Sequence, residues 1–137
     1  MRLDLLVNDF VYQALQDKQL IVYEKYFKRA FVHVTDMARA IIFAIENFDR
    51  MVDNVYNIGS EAMNFTKEDI ALVIKEKVDY ILHFADIGED PDKRNYEVSY
   101  QKIRPLGFET LISMEEAIDE LVGGLQTIDV RNIYSNV

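Results

Sequence analysis

The chain has 137 residues, half of them hydrophobic and 28% charged, which is one domain's worth of polypeptide with enough apolar material for a core. It has no cysteine, which excludes a disulfide framework, a thiolate nucleophile and any cysteine-ligated metal centre. A formal charge of −9 argues against a nucleic-acid or anionic-membrane surface, and with no membrane-length apolar run and no signal pattern a cytoplasmic protein is expected.

Leu6, Val7, Phe10, Val11, Ala14 and Leu15 recur at helical spacing, so the first element is a helix. The run 19–23 (QLIVY) is short and β-rich, and predicts a strand. A polar, basic loop at 24–29 follows, then a second predicted strand at 31–34 (FVHV). Asp36 reads as the N-cap of a helix whose Ala38, Ile41, Ile42, Ile45 and Phe48 share one face. Residues 54–58 (NVYNI) predict another buried strand, closed by Gly59 and Ser60. Thr66 and Asp69 form a capping box for a helix with its stripe at Ile70, Val73, Ile74 and Val78. Residues 80–84 read as strand and 86–94, with Gly88 and Pro91, as loop; 95–100 alternates like a strand. A short helical turn at 101–104 is expected to stop at Pro105. Ser113 and Glu116 open the last helix, lined by Met114, Ala117, Ile118, Leu121, Val122 and Leu125. Residues 129–137 lack periodicity and read as an irregular tail, leaving 1–128 as the domain. The pattern is mixed α/β, with about four helices and four or five short strands.

Few residues offer chemistry. The five glycines, at 59, 88, 107, 123 and 124, cannot assemble a glycine-rich phosphate loop. His33 and His83 sit in separate strand-like runs with no second ligand at metal spacing, and read as satisfied histidines in or beside the core. No G-x-S-x-G is present. The acidic pairs Glu115-Glu116 and Asp119-Glu120 read as a solvated helix face complementing the dipole, and Arg39 as a solvated helix residue. Basic residues are scarce and clustered: Lys25, Lys28 and Arg29 in one loop, Lys93 and Arg94 at the end of another. An arginine at a loop mouth can grip a phosphate with its planar fork of parallel N–H donors. Tyr23, ending a strand just before the first cluster, offers an aromatic face for a base or simple edge packing.

Several motifs occur in a familiar order. Residues 28–40 (KRAFVHVTDMARA) resemble the R-x-[FY]-[VI]-H-V-x-D-x-A-R-A segment of the extended short-chain dehydrogenase/reductases, the NAD-dependent sugar-nucleotide epimerases and dehydratases. Residues 55–60 (VYNIGS) with Thr66, then 92–96 (DKRNY) with Lys102-Ile103 and Leu106-Gly107-Phe108, resemble the family's later elements. The resemblance covers about residues 3–127, and implies the C-terminal, substrate-binding part of an extended Rossmann-type protein.

By that resemblance Arg29 grips the pyrophosphate of a nucleoside-diphosphate sugar, Arg94 closes on it, and Ile21 and Tyr23 flank the base. The family's glycine-rich NAD loop and Y-x-x-x-K pair have no counterpart: none of the eight tyrosines has a lysine four residues on. The chain alone is therefore expected to be inactive, with no catalytic residue, metal or cofactor of its own, NAD or NADP belonging to a full-length relative. Where relatives often carry a glycine turn before Arg29, this chain has Glu24-Lys25-Tyr26-Phe27-Lys28, and the acids at 89, 90 and 92 stand beside Arg94. Expected partners are the sugar nucleotide and an NAD-binding half, or a second copy through uncovered apolar surface. The alternative is a non-catalytic interaction or regulatory module of the same descent.

Overall fold

A computed structural model describes residues 2–86, 88 and 92–128. The tail 129–137, and Glu89, Asp90 and Pro91 of the loop, lie outside the described residues. Helix α1 (Leu6–Gln16) leads into strand β1 (Gln19–Tyr23), then β2 (Lys28–Ala30) and helix α2 (Val34–Glu46), with a one-turn α3 (Phe48–Met51) behind it. Strand β3 (Asn64–Thr66), helix α4 (Lys67–Lys77), strand β4 (Ile81–Ala85) and helix α5 (Met114–Leu125) complete the order.

The strands form two separate pairs. β1 lies parallel to β4, Gln19 opposite Ile81 and Tyr23 opposite Ala85. Parallel pairing demands a long crossover, supplied here by everything from β2 to α4. β2 runs antiparallel to β3, with Arg29 opposite Phe65. The main core lies on one face of the β1–β4 pair. Leu20 and Val22 meet Val11 and Ala14 of α1, Ile70 and Ile74 of α4, and Met114 and Ile118 of α5 there, all nearly inaccessible. The other face of this pair is open, with Ile21 49% and Ile81 71% exposed and His83 beside them. His83 is thus on a solvent face, not in or beside the core, because the period-2 pleat places it opposite Ile21.

A second, smaller core joins Ala40 of α2, Met51 of α3, and Tyr100, Ile103 and Phe108 of the long C-terminal connection. Gly59 abuts the Tyr100 ring with φ +148°, and a Cβ there would stand 2.6 Å from that ring. Both its backbone angle and the space require glycine.

Several expected elements are corrected. The strand expected at 31–34 is displaced to 28–30, overlapping the end of the expected loop at 24–29. Val34 already belongs to α2, because His33 caps that helix: its Nδ1 accepts from the Thr35 N–H at 3.2 Å. Asp36 is therefore not the cap. It sits one turn in, fully buried, and accepts from the backbone N–H groups of Leu111 and Ile112 at 3.0–3.1 Å. Arg39 is not merely solvated, since it donates to Asp36 and to the Glu109 carbonyl.

Residues 54–58 and 95–100 form no ladder. Side chains replace it: Asn64 exchanges bonds with the Val98 backbone, Asn57 donates to the Ser99 carbonyl, and Lys102 to the Val55 carbonyl. Val55 is 83% exposed, so this run is not buried either. Pro105 lies inside a 3-10 turn (Arg104–Leu106), near its start, where its missing N–H costs nothing. The two capping boxes are present as read: Thr66 with Asp69, and Ser113 with Glu116.

Candidate functional site

A cleft of about 990 Å³ opens between the N-terminal part of α1, β2 with the chain leading into α2, residues 92–96, and one face of α5. Its walls are largely apolar, including Leu6, Phe10, Phe31 and Met114. Its polar groups come from opposite sides.

Arg29 comes up from β2, the middle residue of a three-residue strand, and is only 5% exposed. Its Nη1 donates to the Lys28 carbonyl at 2.9 Å and its Nη2 to the Asp92 carbonyl at 3.0 Å. The same Nη2 stands 3.2 Å from an Asp92 carboxylate oxygen. The Tyr96 ring lies beneath the guanidinium, 5.8 Å to its centroid. Arg94 meets the same carboxylate from the solvent side, donating through Nε at 2.7 Å and through Nη2 to the second oxygen. Asp92, Arg94 and Tyr96 alternate along an extended run and all line the cleft, as side chains two apart on an extended chain share a side.

One carboxylate thus lies between two guanidiniums. Hydrogen bonds from Arg94, with the charge of Arg29 behind it, hold the Asp92 carboxyl well below the usual carboxylate range. The rest of the cleft is balanced in the same manner. Arg2 pairs with Asp4, and His33 Nε2 stands 3.4 Å from a Glu120 oxygen. Asp9 accepts from the Gln13 amide at 2.8 Å, and burial pushes its carboxyl up.

The four residues singled out in the sequence fall into two groups. Arg29 and Arg94 share the cleft and a partner; Tyr23 and Ile21 are not among its lining residues. Tyr23 is half-buried at the end of β1 with Gly88 against its ring, while its carbonyl accepts from the buried Lys67 Nζ at 3.0 Å. Ile21 faces outward from the same strand. Glu24 follows in the left-handed region, φ +48°, and turns the chain toward β2 with its carbonyl accepting from the Phe27 N–H. The bulkier turn therefore still delivers Arg29 to the cleft. Sequence reasoning placed Asp92 only as a neighbour of Arg94 and passed over Tyr96; their alternation with Arg94 was the available signal.

Among the described residues no group of three or more His, Asp or Glu could hold a metal, and no helix is long and apolar enough to cross a membrane. The dinucleotide implied by the resemblance does not fit the residues described. Where β3 runs directly into α4, Thr66 and Asp69 take up the helix N-terminus, and a carboxylate there repels a pyrophosphate. Gly59 and Gly107 flank short 3-10 turns, and Gly123 and Gly124 lie within α5.

The NAD dependent epimerase/dehydratase family model matches residues 4–59. A UDP-glucuronic acid decarboxylase 1 of Xenopus tropicalis is 28% identical over 120 residues, 85% of this chain. The chain spans 27% of that relative's length. Among solved structures, a NAD-dependent NDP-hexosamine 5,6-dehydratase of tunicamycin biosynthesis superposes with a TM-score of 0.74 at 19% identity, over 96% of this chain and 43% of that one. The ADP-L-glycero-D-manno-heptose-6-epimerase of Helicobacter pylori gives 0.70 at 18% identity, over 90% and 38%. The partial family match and the shared fold make this chain similar to proteins of the NAD dependent epimerase/dehydratase family, of which it covers only a part.

Proposed function

We propose that this chain is the sugar-nucleotide-binding portion of an epimerase/dehydratase-like protein, and that it holds a nucleoside diphosphate between Arg29 and Arg94. The carrying observation is the convergence of these two guanidiniums on the Asp92 carboxylate at an apolar cleft. Two cationic forks around one anion are what a diphosphate requires. The relatives named above act, by their names, on UDP-, NDP- and ADP-linked sugars, which supports the class of ligand. On binding, phosphate oxygens take the place of the Asp92 carboxylate on Arg94, and the sugar extends along the apolar walls. Ile21 and Tyr23 do not line the cleft, so the base lies outside their reach in this arrangement. No turnover is expected of the chain alone, which offers neither a Y-x-x-x-K pair nor a fit for the dinucleotide.

Thermal shift and calorimetry with UDP, dTDP, CDP and GDP test this. At low salt and millimolar ligand at least one nucleotide raises Tm. Arg94→Ala weakens that binding by roughly 10–100-fold, the value of a charge-assisted contact of about 1.5–3 kcal/mol. Arg94 is exposed, so its loss leaves the fold intact. Asp92→Asn tightens binding by removing the internal competitor. Silence from all four nucleotides, or an affinity that Arg94→Ala leaves unchanged, refutes the reading. A second reading, a non-catalytic interaction module, is favoured by one observation: an isoleucine-rich face of α2 that stands exposed among the described residues.

A further inference from the structure

The turn between β1 and β2, residues 24–27, contains no glycine, yet Glu24 adopts φ +48°, in the left-handed region. A residue with a Cβ persists there only where its surroundings over-determine the backbone. Much of that hold comes from the first two residues of α4. The backbone N–H of Lys67 donates to the Phe27 carbonyl at 3.2 Å, and that of Glu68 to the Lys25 carbonyl at 2.9 Å. The Lys67 side chain reaches the other end of the turn, where its Nζ donates to the Tyr23 carbonyl at 3.0 Å. The same Nζ lies 5.3 Å from the centroid of the Phe27 ring. Lys67 thus grips the turn at both ends, one with its side chain and the other with its main chain.

A lysine is an unexpected choice for this position. Lys67 is 1% exposed, the largest of the fully buried side chains among the described residues, and lysine is almost never buried this deeply unless its ammonium has partners. It also stands at the first position of α4, where the helix dipole disfavours a cation. An apolar side chain of the same length would fill the space without either cost. Local rules broken in this way concentrate at functional sites. The turn that Lys67 closes ends at the residue before β2, and the middle residue of β2 is Arg29.

We infer that Lys67 is the positioning residue of the anion clamp: by holding the Tyr23 and Phe27 carbonyls it fixes the turn from which Arg29 enters the cleft. β2 pairs with β3 over three residues only, from Lys28 opposite Thr66 to Ala30 opposite Asn64. Thr66 immediately precedes Lys67, so the short ladder and the turn are anchored at one place. The neighbouring Lys25–Glu68 pair, 2.6 Å apart, grips the same turn but is partly exposed and holds it less firmly. The Arg29 guanidinium is aligned by the Lys28 and Asp92 carbonyls, and a shift of the turn moves it off the carboxylate that it shares with Arg94. An anion site of two cationic forks depends on that alignment being set before the ligand arrives. The effect of Lys67 on affinity rests on the nucleotide reading given above; its effect on the turn and on Arg29 does not.

Two measurements on the whole chain decide it. Lys67→Met keeps the buried stem and removes the ammonium; Lys77→Met, which breaks the pair with Asp119 at the far end of α4, controls for the lost charge. Without ligand, hydrogen exchange at the Phe27 and Lys28 amides and the Arg29 guanidinium quickens on the order of tenfold in Lys67→Met. The α5 amides keep their protection, and Lys77→Met exchanges like the wild type. With whichever of UDP, dTDP, CDP and GDP binds most tightly, calorimetry on the folded variants gives a Kd roughly five- to tenfold weaker for Lys67→Met. Lys77→Met stays within about twofold of the wild type, because a distant charge is screened. Unchanged exchange at Arg29 overturns the proposal whether or not a nucleotide binds. Faster exchange with an unchanged Kd overturns it too, since a lysine that only stabilises the turn does not move the affinity. Silence of the wild type toward all four nucleotides refutes the nucleotide reading instead, and exchange at the Arg29 guanidinium then decides the positioning by itself. Should Lys67→Met not fold, Lys67→Gln, whose amide ends one bond shorter, takes its place with the same outcomes.

Discussion

Helices α5 and α2 are built from the same materials and put to opposite uses. Both are about three turns long, thirteen residues for α2 and twelve for α5, and both carry a bulky aliphatic stripe. In α5 that stripe faces inward: Met114, Ile118 and Leu125 are buried in the main core between α1 and α4. In α2 the bulky stripe faces water, and the buried side is made of Ala40, half-buried Phe43 and a carboxylate. Periodicity reveals that a helix has an apolar face; it does not reveal whether this chain covers that face. α5 is held by hydrophobic burial, α2 by small side chains and a polar anchor.

The sharpest way to break this comparison is to truncate one isoleucine in each. Ile118→Ala leaves a cavity at a fully buried site and costs about 2–5 kcal/mol of unfolding free energy. Ile45→Ala, measured by urea unfolding below micromolar protein concentration, changes stability by less than about 0.5 kcal/mol. Equal costs would mean that the α2 stripe is covered within the chain after all.

The same distinction explains which parts of the fold were legible. α1, β1, α4, β4 and α5 follow from local signals: periodicity facing the core, a short β-rich run, and two capping boxes within four residues of sequence. The missed elements depend on contacts that no local signal carries. The β2 strand sits at 28–30 because its partner is 64–66, and the runs 54–58 and 95–100 are ordered by Asn64, Asn57 and Lys102 instead of a ladder. At the candidate site the motifs pointed to Arg29 and Arg94, but their shared partner lies 63 residues from Arg29. That both arginines meet one carboxylate is a property of the fold, invisible in either segment alone.

The second test uses pH. Hydrogen bonds from Ile112 and Leu111 and the Arg39 guanidinium outweigh the burial that opposes them, and hold the Asp36 carboxyl below its ordinary value. A carboxyl lowered on folding contributes stability above its unfolded pKa of about 3.9, and that contribution is lost as pH falls through the folded value. In the main core, burial raises the Tyr80 phenol to about 12, and its hydroxyl donates to the Ala71 carbonyl at 2.6 Å. Its contribution is complete below pH ~10 and is lost between pH ~10 and 12. Acid therefore loosens the attachment of α2, and alkali the core around α4. Asp36→Ala, which strands the Leu111 and Ile112 N–H groups, costs about 3 kcal/mol at neutral pH and makes the acid limb shallower, the remainder belonging to other lowered carboxyls such as Asp92. Tyr80→Phe costs about 1 kcal/mol and flattens the alkaline one. A single acid transition unchanged in Asp36→Ala would remove the polar anchor from the account of α2.

The smallest effect lies in the caps. Ser113 closes a reciprocal box, its Oγ accepting from the Glu116 N–H at 3.2 Å while Glu116 accepts from the Ser113 N–H at 2.9 Å. His33 does half as much for α2, one ring nitrogen accepting from Thr35, with the other turned toward Glu120 of α5. Ser113→Ala costs about 1 kcal/mol, a usual cap loss, and it does so globally because α5 unfolds only with the main core. His33→Ala costs about 0.5 kcal/mol and acts locally: amide exchange accelerates in the first turn of α2 while the α5 amides keep their protection. Asn at position 33, a better cap than histidine, restores that protection although it gives up the contact with Glu120. If His33→Ala instead releases α5 amides as strongly as those of α2, the two helices open as one unit. The contrast between a helix anchored by its stripe and one that offers its stripe outward would then fail at the point where they touch.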